Sequence, residues 1–443
     1  IIKNIQYQKI LIICGPGNNG GDGLLIAKYF NDRKSNVVIF APLQLGKTKD
    51  SKKALETLQN NILIKANINL EKYDLIIDCL FGVGFNRPFS QELYSLINTI
   101  NKANNKIISI DIPSGVYTDS GLISSIAVKA NVTLTLHRLK PGLLLLPGKD
   151  YAGKIEILDI QLINLDNESL IHVLKPPLLK EIKISDHKYT RGTTYIIAGK
   201  KLIGASKLAT LAATQSSLRS GAGVSKIFVY QGDENYFKPH ILEEMIITYK
   251  DSNHLIDIIK NTNISSLIYG CGIEVKKINR EILYFLLQQS FGLVLDASAF
   301  SLINEDKENF IELLFNRKAE TILTPHKGEF EKIFSCKNNK ITDCLEASKQ
   351  TNSIILYKGN DTVISTPDGR IYISSKSSPF LATAGSGDVL AGMIGGFLSQ
   401  QYTGIEATRL ACYIHSECGI RLNHGLVASD LINEIPNVLK NLN

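Results

Sequence analysis

Several features that would indicate particular classes of protein are missing from this chain of 443 residues. It has no Trp, two Met and 7% aromatic residues, and its Lys and Arg residues form no dense run. Nucleic-acid surfaces need a basic stripe, often with stacking aromatics, so we expect no nucleic-acid partner despite a net charge of +7. No apolar stretch is long enough to span a membrane and no signal peptide is visible, so we expect no membrane partner.

Cysteine is also scarce and irregularly placed. The seven Cys residues include no CxxC pair, and their number is odd. Neither a zinc site nor a disulfide framework is indicated. Reduced thiols are typical of the cytoplasm, which is where we expect this protein to be located.

The chain does contain two glycine-rich loops of different design. Gly15–Gly23 reads GPGNNGGDG and Ala384–Gly392 reads AGSGDVLAG, with Asp22 and Asp388 near the start of a predicted helix in each case. Backbone N–H groups at the start of a helix favour the binding of phosphate, because they lack partners within the helix and lie at the positive end of the helix dipole. Two such loops indicate two phosphate-recognising sites and therefore two fused enzymes.

Alternating strands and helices predict an α/β protein with two domains. We predict a Rossmann-like three-layer domain over residues 1–165 and a second α/β domain over residues 178–443. A linker is expected from Leu165 to about Ile184, because the stretch contains Pro176 and Pro177. In the first domain we expect helices over about Asp22–Asn31 and Ser51–Asn60, and in the second a β-hairpin over residues 362–373.

Polar residues converge on the predicted carboxyl edge of the first sheet, where open α/β sheets bind ligands. The first loop does not fit the GxGxxG spacing of dinucleotide-binding folds. Asn18 and Asn19 supply amide carbonyls, while Asp78, Asp111 and Ser114 follow or end neighbouring strands. Such oxygen ligands suit a hard cation, although an Asn-Gly-Gly-Asp loop alone is more often a tight turn, and an Asp after a strand alone is more often a helix cap.

The same segments resemble the NAD(P)H-hydrate epimerase family over about residues 10–162. They are GPGNNGGDG, DCLFGVGFNRPFS (Asp78–Ser90), DIPSGV (Asp111–Val116) and KPGL (Lys140–Leu143). The resemblance implies inversion of C6 of hydrated NADH or NADPH and a bound potassium ion. The implied substrate contacts are Asn18, Asn19, Gly20, Gly21, Asp22, Gly82, Val83, Gly84, Phe85, Asn86, Arg87, Pro88 and Asp111. The implied potassium ligands are Asn19, Asp78 and Ser114.

Inversion at C6 needs an acid/base group near the hydroxyl, and Asp111 is our candidate. The epimerase family usually carries a helical segment before the first strand. We expect that segment to be missing from this chain.

The second loop has the pattern of an anion hole. Gly385, Ser386 and Gly387 would present consecutive N–H donors, and Asp388 would act on a substrate hydroxyl. This arrangement resembles the anion hole and catalytic Asp of ribokinase-like kinases. Considered alone, the loop is explained equally by a small-residue helix that packs closely on a neighbour.

Further segments resemble the ADP- or ATP-dependent NAD(P)H-hydrate dehydratases, a branch of the ribokinase-like superfamily, over about residues 180–440. They are HKYTRGTTYIIAG (187–199), GASKLA (204–209), SLRSGAG (217–223), TPHKGEF (324–330) and KGNDTVI (358–364). The implied contacts to the hydrated nicotinamide are Ala205, Gly272, His326 and Asp388. The implied contacts to ADP or ATP are Lys358, Gly359, Asn360, Asp361, Thr362, Gly385, Ser386 and Gly387, with Mg²⁺ accompanying the nucleotide. Taken singly, a histidine such as His326 is more often a loop residue bonded to backbone than a ligand contact, and a lysine such as Lys358 is more often a solvated residue at a strand end.

The chain departs from the dehydratase pattern at three places. GCGIE (Gly270–Glu274) replaces a GPGLG-like turn, DASAF (Asp296–Phe300) replaces DADAL and so has Ser298 in place of an acid, and LIGA (Leu202–Ala205) replaces a Met-x-Gly-Ala segment. We therefore carry three interpretations: a fused repair enzyme for hydrated NADH and NADPH, a ribokinase-like small-molecule kinase, and a non-catalytic binding protein. For the enzyme we expect homo-oligomers.

Overall fold

The computed structural model describes residues 9–58, 62–65, 68–162, 169–200, 203–337 and 339–442. The chain divides into two compact units, Ile1–Asn167 and Glu168–Asn443, and each is built on its own sheet. Leu165, where the predicted linker begins, and Leu202 of the LIGA segment lie outside the described residues. We expected no helical segment before the first strand, and this expectation falls on residues 1–8, which also lie outside the described residues.

Unit 1 contains a parallel sheet of seven strands among its described residues, in the order β3-β2-β1-β4-β5-β6-β7. The strands are β1 (Lys9–Cys14), β2 (Asn36–Phe40), β3 (Leu63–Lys65), β4 (Leu75–Cys79), β5 (Lys106–Ile110), β6 (Val132–Leu136) and β7 (Lys154–Leu158). The helices are α1 (Asn18–Asp32), α2 (Lys49–Glu56), α3 (Gln91–Lys102) and α4 (Gly148–Ala152).

Strand β1 shows why this sheet is covered on both faces. Its sequence is apolar at every position after Lys9, and all five of those residues are buried. Ile10 and Ile12 pack into one apolar cluster, whereas Leu11 and Ile13 pack into another. Because successive side chains of a strand point to opposite faces, a continuous apolar run is the pattern of a central parallel strand. The predicted three-layer architecture is confirmed.

The start of the first glycine-rich helix was predicted wrongly. Helix α1 begins at Asn18 rather than at about Asp22, with Gly17 as its N-cap. The helix start lies so close to the end of β1 that a Cβ on Gly20 would be 1.8 Å from the carbonyl oxygen of Gly15. The glycines were predicted to be loop residues, but in the structure they let the first turn of α1 pack against the backbone at Gly15. The other predicted helix is α2, which ends at Glu56, and its predicted end at Asn60 is outside the described residues.

Unit 2 contains a ten-stranded sheet among its described residues, in the order β11-β10-β9-β12-β13-β14-β15-β16-β17-β8. The strands are β8 (Ile171–Val173), β9 (Thr193–Ile197), β10 (Val224–Tyr230), β11 (Met245–Tyr249), β12 (Ser266–Tyr269), β13 (Gly292–Leu295), β14 (Thr321–Leu323), β15 (Ile354–Tyr357), β16 (Val363–Ser365) and β17 (Ile371–Ile373). The helices are α5 (Ile203–Arg219), α6 (Ser252–Lys260), α7 (Lys277–Leu287), α8 (Ser298–Asn304), α9 (Lys307–Asn316), α10 (Lys327–Ile333), α11 (Lys340–Thr351), α12 (Ser386–Ser399), α13 (Gly404–Leu422) and α14 (Ala428–Lys440).

The strands of this sheet pair in parallel except in the β15-β16-β17 meander. The β16-β17 hairpin confirms the prediction made from the Thr-Pro-Asp-Gly turn. Ile171–Val173, which we expected within a linker, instead forms β8 and pairs with β17.

Helix α12 packs closely against α5. A Cβ on Gly392 would lie 2.0 Å from Ser216 Oγ, and one on Gly396 would lie 2.6 Å from Ser217 O. Close packing therefore explains the small residues in the body of α12. Gly387 is different, because a Cβ there would meet the Lys358 Nζ at 3.4 Å. The first turn of the helix therefore faces charged side chains.

Among the helices that the described residues form, none combines the length and apolar character that a membrane span requires.

Candidate active sites

A cavity of about 620 Å³ opens in unit 1 at the carboxyl ends of β1, β4 and β5. It brings together most residues that the epimerase resemblance implied as substrate contacts. Those that line it are Asn18, Asn19, Asp22, Gly82, Val83, Gly84, Phe85, Asn86, Arg87 and Asp111. Gly20 and Gly21 are buried and Pro88 is exposed, and these three do not line the cavity.

Asp111 is held in an unusual conformation directly after β5. Its φ is +70°, a region that non-glycine residues rarely adopt. Its Oδ1 accepts a hydrogen bond from Lys140 Nζ at 2.5 Å, and Lys140 also donates to Thr135 Oγ1 at 3.0 Å and Leu136 O at 2.6 Å. The Asp111 carboxylate is therefore fixed by a nearly buried ion pair. The KPGL segment contains Lys140, but its sequence did not predict the ion pair between Lys140 and Asp111.

Asp22 is a second carboxyl group of the same cavity. It lies on the first turns of α1, where burial, with a smaller contribution from the negative charge of Asp111, raises its pKa to about 6. The residue was expected only as a substrate contact. A carboxyl group that titrates near neutrality in a cleft is also a candidate for proton transfer.

The implied potassium ligands occupy a buried polar region beside the cavity. The Oδ1 and Oδ2 atoms of Asp78 together accept hydrogen bonds from Ser109, Ser114 and the Leu80 N–H, and the bond from Ser114 Oγ is 2.6 Å long. Burial nevertheless raises the pKa of Asp78, and within the described part of the chain it has no cationic partner. Both amide atoms of Asn19 are buried and lack a hydrogen-bond partner among the described residues. The unpartnered carbonyl of Asn19 and the buried carboxylate of Asp78 are oxygen donors of the kind that suits a monovalent cation.

The second site lies at the start of α12 in unit 2. Gly385 precedes the helix with a φ of +86°, and Ser386 and Gly387 form its first residues. Lys358 Nζ lies beside Gly387, donates to Asp296 Oδ1 at 2.7 Å and is 3.8 Å from Glu329 Oε2. The structure thus places a lysine ammonium against the predicted anion hole, where it can neutralise a phosphoryl group.

Asp388 occupies the first turn of α12, as predicted, and its environment makes it easier to protonate. Burial raises its pKa to about 6, with the charge of Asp296 acting in the same direction. The thiol of Cys271 and the positive charge of Lys358 oppose this shift. The sulfur of Cys271 and carboxylate oxygens of Asp296 and Asp388 all lie within 4.8 Å of one another.

His326 forms the N-cap of α10. Its Nδ1 accepts from the N–H groups of Gly328 at 3.0 Å and Glu329 at 3.3 Å, and its Nε2 is 3.2 Å from Glu329 Oε1. Burial and the charge of Lys358 lower the pKa of His326, which favours the neutral ring that such a cap needs. His326 is thus a loop histidine bonded to backbone. Its implied contact with substrate stays a prediction. Burial also raises the pKa of Glu329 to about 7.

The other predicted dehydratase residues lie at the ends of adjacent elements. Ala205 is exposed on the first turn of α5. Gly272 packs against the same turn, because a Cβ on Gly272 would lie 2.4 Å from the Cα of Ser206, the residue that follows Ala205. In the predicted nucleotide loop, Thr362 Oγ1 donates to Gly359 O at 2.7 Å. Lys340, which was not predicted as a site residue, donates to Asp361 Oδ1 at 2.5 Å and so fixes the position of that loop.

His415 of α13 supports the anion hole and was also missed. Its Nε2 lies 2.9 Å from Ser386 Oγ and 3.0 Å from Ser386 O. Burial lowers its pKa to about 4, so the ring is neutral at physiological pH. No sequence motif distinguishes this histidine, because it is contributed by a helix that begins 18 residues after Ser386.

Two departures from the dehydratase pattern have a local structural explanation. The carboxylate of Glu274 forms an ion pair with Lys276 at 2.8 Å. Ser298 is the first residue of α8 and donates its backbone N–H to Gly270 O. Asp296, the acid that remains of the DADAL-like segment, is the one that binds Lys358.

Comparison with known proteins covers both units. Residues 194–439 match the family described as NAD(P)H-hydrate dehydratase, and residues 1–142 match the family described as YjeF-related protein N-terminus. The chain is 33% identical to the bifunctional NAD(P)H-hydrate repair enzyme Nnr of Dictyoglomus turgidum, across 98% of this chain and 89% of that protein. The chain belongs to this family of bifunctional NAD(P)H-hydrate repair enzymes.

Other repair enzymes and one solved dehydratase agree with this assignment. The Nnr protein of Moorella thermoacetica is 30% identical across 99% of this chain and 88% of its own length. A Bacillus subtilis ADP/ATP-dependent NAD(P)H-hydrate dehydratase, co-crystallized with ATP and Mg²⁺, has a TM-score of 0.51 and 26% identity, covering 60% of this repair enzyme and 95% of its own chain. A ribokinase-like protein of Enterococcus faecalis, at 21% identity and a TM-score of 0.54 over 63% of this chain and 99% of its own, confirms the predicted fold of unit 2.

Proposed function

We propose that this enzyme repairs hydrated NADH and NADPH by two activities. Unit 1 interconverts the R and S hydrates, and unit 2 dehydrates the S hydrate with ADP or ATP as the phosphoryl donor. One feature common to both units supports the proposal most directly. In each, a partly buried carboxyl group whose pKa is raised to about 6 lies on the first turns of a helix that begins in a glycine-rich loop.

The chemistry of unit 1 is proton transfer at a carbon that bears both nitrogen and a hydroxyl. Inversion at C6 breaks and re-forms one bond to that carbon, and each event moves a proton. We assign Asp111 as the acid/base group, because Lys140 fixes its carboxylate at the wall of the cavity. Asp22, with its pKa raised to about 6, is placed to exchange a proton with the same centre.

Potassium would be held by Asn19, Asp78 and Ser114. The unpartnered Asn19 carbonyl and the buried Asp78 carboxylate are the features that suit it. The ion would supply positive charge beside the substrate cavity and would fix the side chains that bind it. The proton transfers are assigned to Asp111 and Asp22 alone.

The chemistry of unit 2 replaces a poor leaving group with a good one. Asp388 accepts the proton of the C6 hydroxyl, and the hydroxyl oxygen attacks the terminal phosphorus of the nucleotide, whose bond to the bridging oxygen breaks. The N–H groups of Gly385–Gly387 and the ammonium of Lys358 stabilise the transferring phosphoryl group. Phosphate then leaves C6 as the ring nitrogen supplies its electron pair, and loss of a C5 proton restores the dihydronicotinamide.

Magnesium does not fit the side chains gathered at this site. One of the three neighbouring donors, Cys271, is a thiol, and another, Asp296, is already bound to Lys358. Mg²⁺ prefers oxygen ligands in octahedral geometry and usually binds through substrate phosphates. We therefore derive no step through a magnesium ion held by these residues.

The test is to incubate the purified full chain with a mixture of R and S hydrated NADH and ADP or ATP. We expect recovery of the dihydronicotinamide absorbance from both epimers, with release of phosphate.

The two other interpretations give different outcomes in the same assay. A stable phosphorylated product without recovered NADH would show a small-molecule kinase. Calorimetry that detects no binding of ADP, ATP or hydrated cofactor would show a non-catalytic protein.

A further inference from the structure

Cys271 is a buried thiol at the second active site to which no function is assigned. It follows β12 directly, in the turn GCGIE where the dehydratase pattern has a GPGLG-like sequence. Its side chain has 0% exposure, and the residues on either side, Gly270 and Gly272, have φ values of +115° and +68°. This turn conformation directs the thiol away from solvent and into the group of acids at the start of α12.

The thiol adds a hydrogen-bond donor to a group of acids. Its sulfur lies within 4.8 Å of carboxylate oxygens of both Asp296 and Asp388. Asp296 already accepts bonds from Lys358 Nζ at 2.7 Å and Thr324 Oγ1 at 2.8 Å. Asp388 forms no ion pair among the described residues, and the Cys271 thiol is a neighbouring group with a proton to offer it.

Proline, which the family pattern has at this position, could not make such a bond, because its side chain carries no donor. Burial keeps the thiol protonated, since it raises the pKa of Cys271 well above its ordinary value. Cys271 is thus a neutral donor rather than a nucleophile or a metal-binding thiolate.

We propose that Cys271 is a positioning residue for dehydration, whose S–H group bonds to the Asp388 carboxylate and holds it ionised and oriented toward the substrate hydroxyl. The inference rests on the proposed function of unit 2. It assigns to this chain a positioning residue that a GPGLG-like turn does not provide.

Other charged and titratable groups surround Asp388 and act independently of the thiol. Asp296 opposes its ionisation and Lys358 favours it. Glu329, on α10, contacts Lys358, and His415, on α13, contacts Ser386 next to the same helix start. Because substitution of Cys271 leaves these four groups in place, a change in the titration of Asp388 would report the thiol alone.

The experiment compares Cys271→Ala, Cys271→Ser and the unchanged chain over pH 5 to 8, with S-hydrated NADH and ATP. Loss of the donor in Cys271→Ala should move the acid limb of kcat upward by about half to one pH unit, which lowers the rate at pH 5.5 by roughly three- to tenfold. Cys271→Ser retains an O–H donor and should restore much of the original profile. An unshifted acid limb in the alanine variant would refute the inference.

Cys412→Ala is the matched control. Cys412 is also a buried thiol of unit 2, but burial alone raises its pKa, whereas the nearby Asp388 and Asp296 also act on Cys271. This variant should leave the pH profile unchanged even if it lowers thermal stability. A shift as large as that of Cys271→Ala would contradict the specific role of Cys271.

An infrared measurement does not depend on activity. The S–H stretching band of Cys271, isolated as the difference between the unchanged chain and Cys271→Ala, should move to higher frequency when Asp388→Asn replaces the acceptor by a neutral amide. A band that does not move would exclude the bond. If the unchanged chain fails to dehydrate the hydrate, the proposed function fails, whereas the infrared band still decides whether the bond exists.

Discussion

At the scale of single residues, the two sites use carboxyl groups in surroundings that oppose ionisation. Asp22 and Asp388 both have a pKa raised to about 6, and burial is the largest cause for each. Asp111 additionally adopts a φ of +70°, which side chains other than Gly rarely accept. A buried carboxyl group that is ionised at neutral pH lowers the free energy of unfolding. Its replacement by a neutral side chain should therefore stabilise the fold while it removes activity.

Asp22→Asn tests this expectation. The unfolded chain binds a proton at Asp22 with a pKa near 3.8, and the folded chain with a pKa near 6. Protonation therefore favours folding, and the stabilising contribution of the protonated carboxyl group is complete below pH 3.8 and is lost as the pH rises to about 6. At pH 7 the variant should be more stable by about 1 to 2 kcal/mol, after allowance for partial solvent screening.

The measurement is thermal unfolding of both full-length chains between pH 4.5 and 7.5. The stability difference between variant and unchanged chain should shrink steadily as the pH is lowered. A difference that stays constant, or grows toward acid, would contradict the raised pKa of Asp22. Asp32→Asn is a suitable control, because Asp32 is an exposed residue of the same helix, paired with Lys28.

At the scale of elements, buried side chains hold helix ends and strand starts in place through hydrogen bonds. Arg317, between α9 and β14, is one of them. It donates from Nη1 to Leu286 O at 3.1 Å and Leu287 O at 3.0 Å, and from Nε to Thr321 Oγ1 at 2.9 Å. It also donates to the carbonyls of Gln289 and Phe291. Burial lowers the pKa of Arg317 to about 10.

Arg317→Met should destabilise unit 2 by about 3 kcal/mol, because it leaves buried carbonyl groups without donors. Arg370 provides the control. Its ion pair with Asp368 is exposed, so Arg370→Met should cost about 1 kcal/mol or less. Chemical denaturation of both variants measures the difference. Equal losses would show that the Arg317 hydrogen bonds do not carry this stability.

The β16-β17 hairpin was predicted from the sequence because the Thr-Pro-Asp-Gly turn separates two short apolar runs. The start of α1 was not, because glycine ordinarily indicates a turn, and only the close approach of Gly20 to Gly15 explains its place in a helix. β8 was missed because three residues between polar segments carry too short a pattern.

At the scale of the whole molecule, two separate sites imply activities that single substitutions can separate. Asp111→Asn should abolish epimerisation and leave dehydration intact. A mixture of R and S hydrates would then be converted only to the extent of its S fraction, apart from slow spontaneous interconversion. Asp388→Ala should have the reverse effect, with epimerisation retained and no recovery of NADH.

Chiral chromatography of the hydrates together with NADH absorbance follows both activities in one reaction. The two variants are controls for each other, because each retains the site that the other lacks. Full consumption of the R hydrate by Asp111→Asn would remove Asp111 from its assigned role, and near-normal dehydration by Asp388→Ala would do the same for Asp388.

The sequence by itself determined the α/β class, the presence of two enzymatic parts, and most of the residues that meet at each site. Apolar periodicity and glycine-rich segments are local properties, and they can be read along the chain. The tertiary structure alone decided which groups meet. Lys140 binds Asp111, Cys271 lies beside Asp388, and His415 contacts Ser386 because the fold of each unit brings together residues that are far apart in the chain. Proton affinity depends on such neighbours and on burial, and neither is written in the order of residues.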